Sequence, residues 1–200
     1  TTLFRSHEID AVNAVLDEAL VCHVAYVLDG EPQIVPTLHV RVGDQLYVHG
    51  STGARLMRVG ERVPVSVCVT LMDGIVFARS WFDHSINYRS VIIHGDAALV
   101  TERDEKWDAM VALMNHVAPG RAEGSRDANK REFAAIAILR IPLNEASLKQ
   151  RSGPPGVEDE DRDSPFWDGV MPVRTVFGPA IPACDLPVPN YLVDYDRGKR

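Results

Sequence analysis

Cysteine is scarce in this sequence, and what is there does not pair. Cys22, Cys68 and Cys184 are odd in number, far apart and form no C-x-x-C. That excludes a disulfide framework and the usual zinc spacings, and it suits a reducing cytoplasm, the expected location. Positive charge is short as well. Lysine and arginine number 21 against 28 acidic residues, a net charge of −7, which lacks the footprint of a nucleic-acid binder. No apolar run approaches the ~18 residues needed to span a bilayer. Thr1–Asp10 carries charges where a secretory signal would have its apolar stretch. No nucleic acid and no membrane are therefore expected as partners. Also missing are G-x-G-x-x-G, the P-loop spacing, the G-x-S-x-G elbow and any clustered metal ligands, so a Rossmann site, a P-loop, a hydrolase nucleophile and a metal centre are not expected.

What is present reads as a β protein with helical decoration. Ser6–Leu20 has helical spacing, with Ile9, Val12, Val15 and Leu16 on one face and Ser6 as a candidate cap. The period then changes. Val21–Leu28, Gln33–Arg41 and Gln45–His49 are strand candidates, the first two joined by the hairpin signal Asp29-Gly30. Thr52–Val59 reads as a short helix closed by Gly60. Val63–Leu71 is a strand in which Val65, Val67 and Val69 alternate with Ser66, Cys68 and Thr70, and Asp73-Gly74 reads as a turn. Ile75–Ser80, Ser90–Val100 and Glu132–Ile141 are further strands, and Asp104–Val117 a second helix. Short strands with frequent turn signals indicate a small barrel. From Pro142 the character changes: this stretch, Pro142 included, holds nine of the thirteen prolines, together with the acidic run Glu158–Asp161. Phe166, Trp167, Met171, Phe177 and Tyr191 in this stretch need a surface, so the extension, residues 154–200, is expected to pack on the barrel domain, residues 1–153, or on a partner.

Three segments can carry chemistry. His49-Gly50-Ser51-Thr52-Gly53-Ala54-Arg55 offers close backbone approach, hydroxyls and a two-pronged guanidinium, the parts of a phosphate cradle; the alternative is an ordinary capped helix with a solvated arginine. Arg79–Ser90 concentrates Ser80, Trp81, His84, Asn87, Tyr88, Arg89 and Ser90, able to cover a planar ring and reach its edge atoms, or simply a surface loop. Ser147–Gly153 sets Ser147, Lys149 and Arg151 on one face if extended.

Taken in order, Ile34-Val35-Pro36-Thr37, Leu46-Tyr47-Val48-His49-Gly50-Ser51, Arg55, His84-Ser85-Ile86-Asn87-Tyr88-Arg89-Ser90-Val91 and Lys149-x-Arg151-x-Gly153 resemble the FMN-binding split barrels related to pyridoxamine 5′-phosphate oxidase, especially the branch of nitroimidazole-resistance proteins. The resemblance spans Ile9 to Gly153, with an echo at Trp167. It implies a six-stranded antiparallel split barrel, a homodimer and FMN at the dimer interface. It puts the flavin ring edge on the backbone of Val35, Pro36, Thr37 and Leu38 and the phosphate on His49, Gly50, Ser51 and Arg55. Ser80, Asn87, Tyr88, Arg89, Ser90, Lys149 and Arg151 are further cofactor contacts by the same resemblance, and Trp167 a lid. The C-terminal W-R-L-x-P string of true pyridoxamine phosphate oxidases is absent, which argues against vitamin B6 oxidation. The expected function is an FMN-dependent oxidoreductase passing electrons from a reduced nicotinamide to a small planar substrate, with His49 delivering protons. The alternatives are a non-catalytic flavin-storage protein, or a split barrel that binds haem or F420 instead.

Overall fold

The structure is a computed structural model that describes residues 2–6, 8–58 and 62–197. In chain order the elements are strand β1 (Thr2–Ser6), helix α1 (Ile9–Glu18), strands β2 (Val21–Leu28), β3 (Glu31–Val42) and β4 (Gln45–Ser51), a single 3-10 turn at Leu56–Arg58, and strands β5 (Arg62–Phe77) and β6 (Ser85–Leu99). Helices α2 (Arg103–Val117) and α3 (Lys130–Ala135) follow, then strands β7 (Ile136–Pro142), β8 (Glu145–Ser152) and β9 (Gly169–Pro172).

The pairing closes on itself. From β6 the ladders run through β7, β4, β3, β2 and β5 and return to β6, so six antiparallel strands form a ring. β8 pairs with β6 and carries β1 outside the ring, while β9 adds to β5. Alternation decides what faces inward. Cys22, Val24, Leu46, Val48, Val67, Val69, Val91 and Ile93 are fully buried, and they meet Val12, Val15 and Leu16 of α1 in one cluster. The amphipathic first helix therefore plugs the ring. α2 lies on the outside, where Ala109 and Leu113 cover Val40, Tyr47 and Ile138.

Several sequence expectations shift in position. The first helix begins at Ile9, with Glu8 as an N-cap that makes no side-chain cap bond, because Ser6 is drawn into the β1–β8 ladder. Asp29 and Gly30 both have positive φ, 53° and 81°, as the tight hairpin requires. Asp73-Gly74 is not a turn. β5 runs through it with a register shift, since Arg89 grips the Asp73 carboxylate and β9 pairs alongside Gly74. Lys130–Ala135 is helical because Asn129 and Glu132 form a capping box, and the strand starts only at Ile136.

Two clusters built on arginines fix the C-terminal end of the plug. Arg89 donates to both oxygens of Glu18 at 2.5 and 3.0 Å and to both of Asp73 at 3.0 and 2.7 Å. Arg197, buried, donates to the carbonyls of Asp17, Glu18 and His116, and the Tyr195 hydroxyl donates to the Val117 carbonyl. A cation thus satisfies the last carbonyls of α1 and α2, where the helix dipoles favour it.

His39 sits beneath this junction. Its Nε2 donates to the Leu16 carbonyl at 3.0 Å, leaving a buried, unpartnered Nδ1, which is the neutral tautomer. Burial lowers its pKa from 6.5 to about 4. Since the folded value lies below the unfolded one, the stability it represents is complete above about pH 6.5 and is lost as pH falls from there towards 4. The shift corresponds to on the order of 3 kcal/mol. Urea unfolding of wild type and His39→Gln across this window should show a loss in wild type that the variant lacks; parallel pH profiles would contradict the assignment.

Candidate functional site

β3 shares its edge between two neighbours in turn. Residues 31–38 pair with β2, but only residues 39–42 pair with β4. Along Ile34–Leu38 the side turned toward β4 carries no ladder, so backbone groups there are available to a ligand. Pro32 and Pro36 fit this edge, because neither has an N–H to offer a ladder. The gap is bridged where the Thr37 hydroxyl donates to the His49 carbonyl at 3.3 Å.

Across the gap lies the end of β4 and the 51–58 turn. The expected helix over Thr52–Val59 is reduced to the 3-10 turn, and Val59 and Gly60 lie outside the described residues. Two glycines and the Ser51 side chain, whose Oγ accepts from Gly53 N–H at 3.2 Å, favour a turn over a helix. Leu56 and Met57 are buried in the main core and anchor it. A Cβ on Gly50 would lie 2.9 Å from Met57 Cε and 3.2 Å from its Cγ, so the glycine leaves room for the buried Met57 side chain. Ser51, Thr52, Gly53, Arg55 and Arg58 are exposed, and Arg55 and Arg58 have no ion-pair partner among the described residues. His49 is half-buried beside Gly50, with a buried, unpartnered Nδ1, and burial lowers its pKa below the usual imidazole value. Val35, Pro36, Thr37 and Leu38 therefore lie on the open edge across from His49, Gly50 and Ser51, with Arg55 in the adjoining turn.

The other expected contacts lie elsewhere, most of them bonded within the chain. Arg89 holds Glu18 and Asp73. Arg151 donates to Asn87 Oδ1 at 2.5 Å, and Asn87 to the Gly153 carbonyl at 3.1 Å. Ser80 bonds Asp83. Ser90, beside Thr70 at 2.8 Å, is the register partner of Lys149 on the outer sheet face, and Tyr88 that of Arg151. Trp167 is exposed, with its ring centroid 6.1 Å from that of Phe77, next to the Arg79–Asp168 ion pair that ties down the extension.

One cluster was missed. On the outer face Ser66 pairs in register with His94, and its Oγ lies 2.9 Å from His94 Nδ1. These residues border an open cavity of about 830 Å³ at a mouth of the ring, with Arg62, Arg140, Gln33 and Gln45. The alternation of Val65, Val67 and Val69 already places Ser66 outward. The partner strand was invisible without the register.

The signature described as pyridoxamine 5′-phosphate oxidase matches residues 8–150. The chain belongs to that family. Its architecture is the antiparallel split barrel of this flavin-binding family. Two solved structures superpose over nearly the whole chain. The flavocytochrome Anf3 from Azotobacter vinelandii is 33% identical, with a TM-score of 0.90, covering 96% of this chain and 92% of its own. An FAD and heme binding protein from Mycobacterium smegmatis is 35% identical, also with a TM-score of 0.90, covering 94% and 95%. A Bacteroides thetaiotaomicron structure named for 5-nitroimidazole antibiotic resistance shares the fold at 16% identity and a TM-score of 0.61, over 74% of this chain and 87% of its own. Among curated proteins none matches. No helix is long and apolar enough to cross a membrane among the described residues.

The cradle makes a specific demand at Gly50. Gly50→Ala should cost about 1–3 kcal/mol through overpacking against Met57. Gly53→Ala meets nothing nearer than Ser51 Oγ at 3.6 Å and should cost less. Urea midpoints of the two variants compare them directly; equal losses would contradict the packing argument.

Proposed function

We propose that this protein is a flavin-dependent oxidoreductase that holds its flavin in the split between β3 and the 51–58 turn. The observation that carries this reading is the ladder-free edge of Ile34–Leu38 facing exposed hydroxyls and two guanidiniums that have no ion-pair partner among the described residues. A flavin presents both chemistries, a planar ring with hydrogen-bonding edge atoms and an anionic phosphate. The fit is supported by the unpartnered His49 Nδ1. When bound, the flavin supplies hydride and electron transfer. The chain's residues bind and orient it. The β3 backbone meets the ring edge, Ser51 and Arg55 hold phosphate, and His49, kept neutral by burial, exchanges a proton with a bound substrate at its Nε2, the ring nitrogen that is not buried. The electron donor is a reduced nicotinamide and the acceptor a small planar molecule.

FMN is the flavin the family resemblance suggests. FAD is favoured by a separate observation: Arg58 stands one turn beyond Arg55, so two phosphates could be met. The FAD-named relative at 35% identity supports the same choice. Mass spectrometry of the released flavin decides between them. Because the two relatives that match over nearly the full length, at 33% and 35% identity, are named as a flavocytochrome and as an FAD and heme binding protein, haem is proposed as a second cofactor. A homodimer is also proposed, because Val21, Ile34, Met72 and Ile86 on the sheet's outer side are 41–65% exposed and a second copy would cover them.

Arg55→Ala removes a charge-assisted contact worth roughly 1.5–3 kcal/mol, about a 10- to 150-fold loss in flavin-nucleotide affinity. Riboflavin, without phosphate, should be little affected when both are titrated by fluorescence quenching. Equal losses for the two ligands would overturn the phosphate assignment.

A further inference from the structure

We propose that the C-terminal arm, residues 190–197, is an acid-released strap, which Arg197 locks onto the ends of α1 and α2 only while the imidazole of His116 is neutral. The strap is independent of the flavin reading. Its lock is made with backbone. Arg197 is 4% exposed, and its guanidinium donates to the carbonyls of Asp17, Glu18 and His116, which lie at helix ends where no further intrahelical N–H can take them. Two tyrosines hold the rest of the arm. The Tyr195 hydroxyl donates to the Val117 carbonyl, and Arg121 donates to the Tyr191 hydroxyl at 3.0 Å. Arg197 also borders a cavity of about 490 Å³ between α1 and α2, with Asp17, Glu18, Val40, Asn115 and His116.

His116 is the group that reads pH. Its Nε2 lies 2.8 Å from the Ala19 carbonyl, so the neutral ring carries its proton there. Nδ1 is then an acceptor, and Arg197 Nη2 lies 3.4 Å from it and 3.2 Å from Nε2. A proton added at Nδ1 turns the acceptor into a donor. It also sets a positive imidazolium against a positive guanidinium that water reaches poorly, where like charges repel more strongly than in bulk solvent.

Each element packed here brings charge. α1 brings Asp17 and Glu18, which are bonded to Arg41 of β3 at 2.6 Å and to Arg89 of β6 at 2.5 Å. β3 brings His39, whose ring centroid is 5.6 Å from that of His116. The arm brings Asp196 next to Arg197. Burial lowers the His39 pKa to about 4, so well above that pH His39 adds no charge to the junction. Closure of the strap thus takes up the neutral form of His116. It is complete above the ordinary imidazole value of about 6.5 and weakens as pH falls below it. The ring itself stays closed, because Val12, Val15 and Leu16 keep α1 in the core.

Amide hydrogen exchange of the full-length protein at pH 7.5 and 5.5, corrected for the intrinsic rate at each pH, tests the strap. In wild type the protection of peptides covering residues 190–197 should fall at least ten-fold at pH 5.5, while the β5–β6 ladder keeps its protection. His116→Gln, which cannot gain the proton, should hold the arm equally at both pH values. His39→Gln should open as wild type does, and Arg197→Gln should be open at both. Constant protection in wild type, a fall that persists in His116→Gln, or a fall shared by the β5–β6 ladder would each overturn the proposal. Titration of the His116 ring followed by NMR gives a second reading that does not depend on how glutamine packs. Its midpoint should move to higher pH in Arg197→Gln, and an unchanged midpoint would likewise overturn it.

Discussion

The pairing of β3 governs the rest of the molecule. A single strand of twelve residues serves β2 with its first part and β4 with its last. The ring can close only because it does both, and the handover leaves residues 34–38 with one edge open. That edge would be a liability in water, since unpaired strand edges invite association. Pro32 and Pro36 blunt it, and the Thr37 hydroxyl bridges it. The remaining donors and acceptors are what a planar heterocycle can use. The candidate site is thus a consequence of how the barrel closes, not an addition to it.

Closure also needs a plug. Six strands enclose a space that their own valines do not fill, and α1 supplies Val12, Val15 and Leu16 to complete it. Holding α1 in place falls to charged groups at its C-terminal end. Arg89 clamps Glu18 to Asp73, whose hydrogen bonds raise the guanidinium pKa further above its ordinary value, and Arg197 reaches back from the far end of the chain to take the carbonyls of Asp17 and Glu18. The extension is therefore part of the fold at three places: at Arg79, through β9, and at the junction of α1 and α2.

Much of this was legible in the sequence, for particular reasons. The strict alternation over Val63–Leu71 and the Asp29-Gly30 turn fix a meander whose inward set is unambiguous, and the glycine and hydroxyl run after β4 marks a break where the strand ends. Local signals failed where distant partners decide. Asp73-Gly74 has turn chemistry, but Arg89 and β9 keep it in a strand. For Arg89 and Arg151 the sequence offered no intrachain partner, and the fold supplies Glu18, Asp73 and Asn87 beside them. The His94–Ser66 pair joins residues 28 positions apart and exists only through the β5–β6 ladder.

The central claim is that the open edge of β3 and the turn opposite it receive the flavin. Amide hydrogen exchange of the protein with and without bound flavin tests this most directly. The account predicts new protection confined to peptides covering residues 34–38 and 49–58, with the β6–β8 ladder unchanged. A flavin that binds tightly while leaving those two segments unprotected would contradict it.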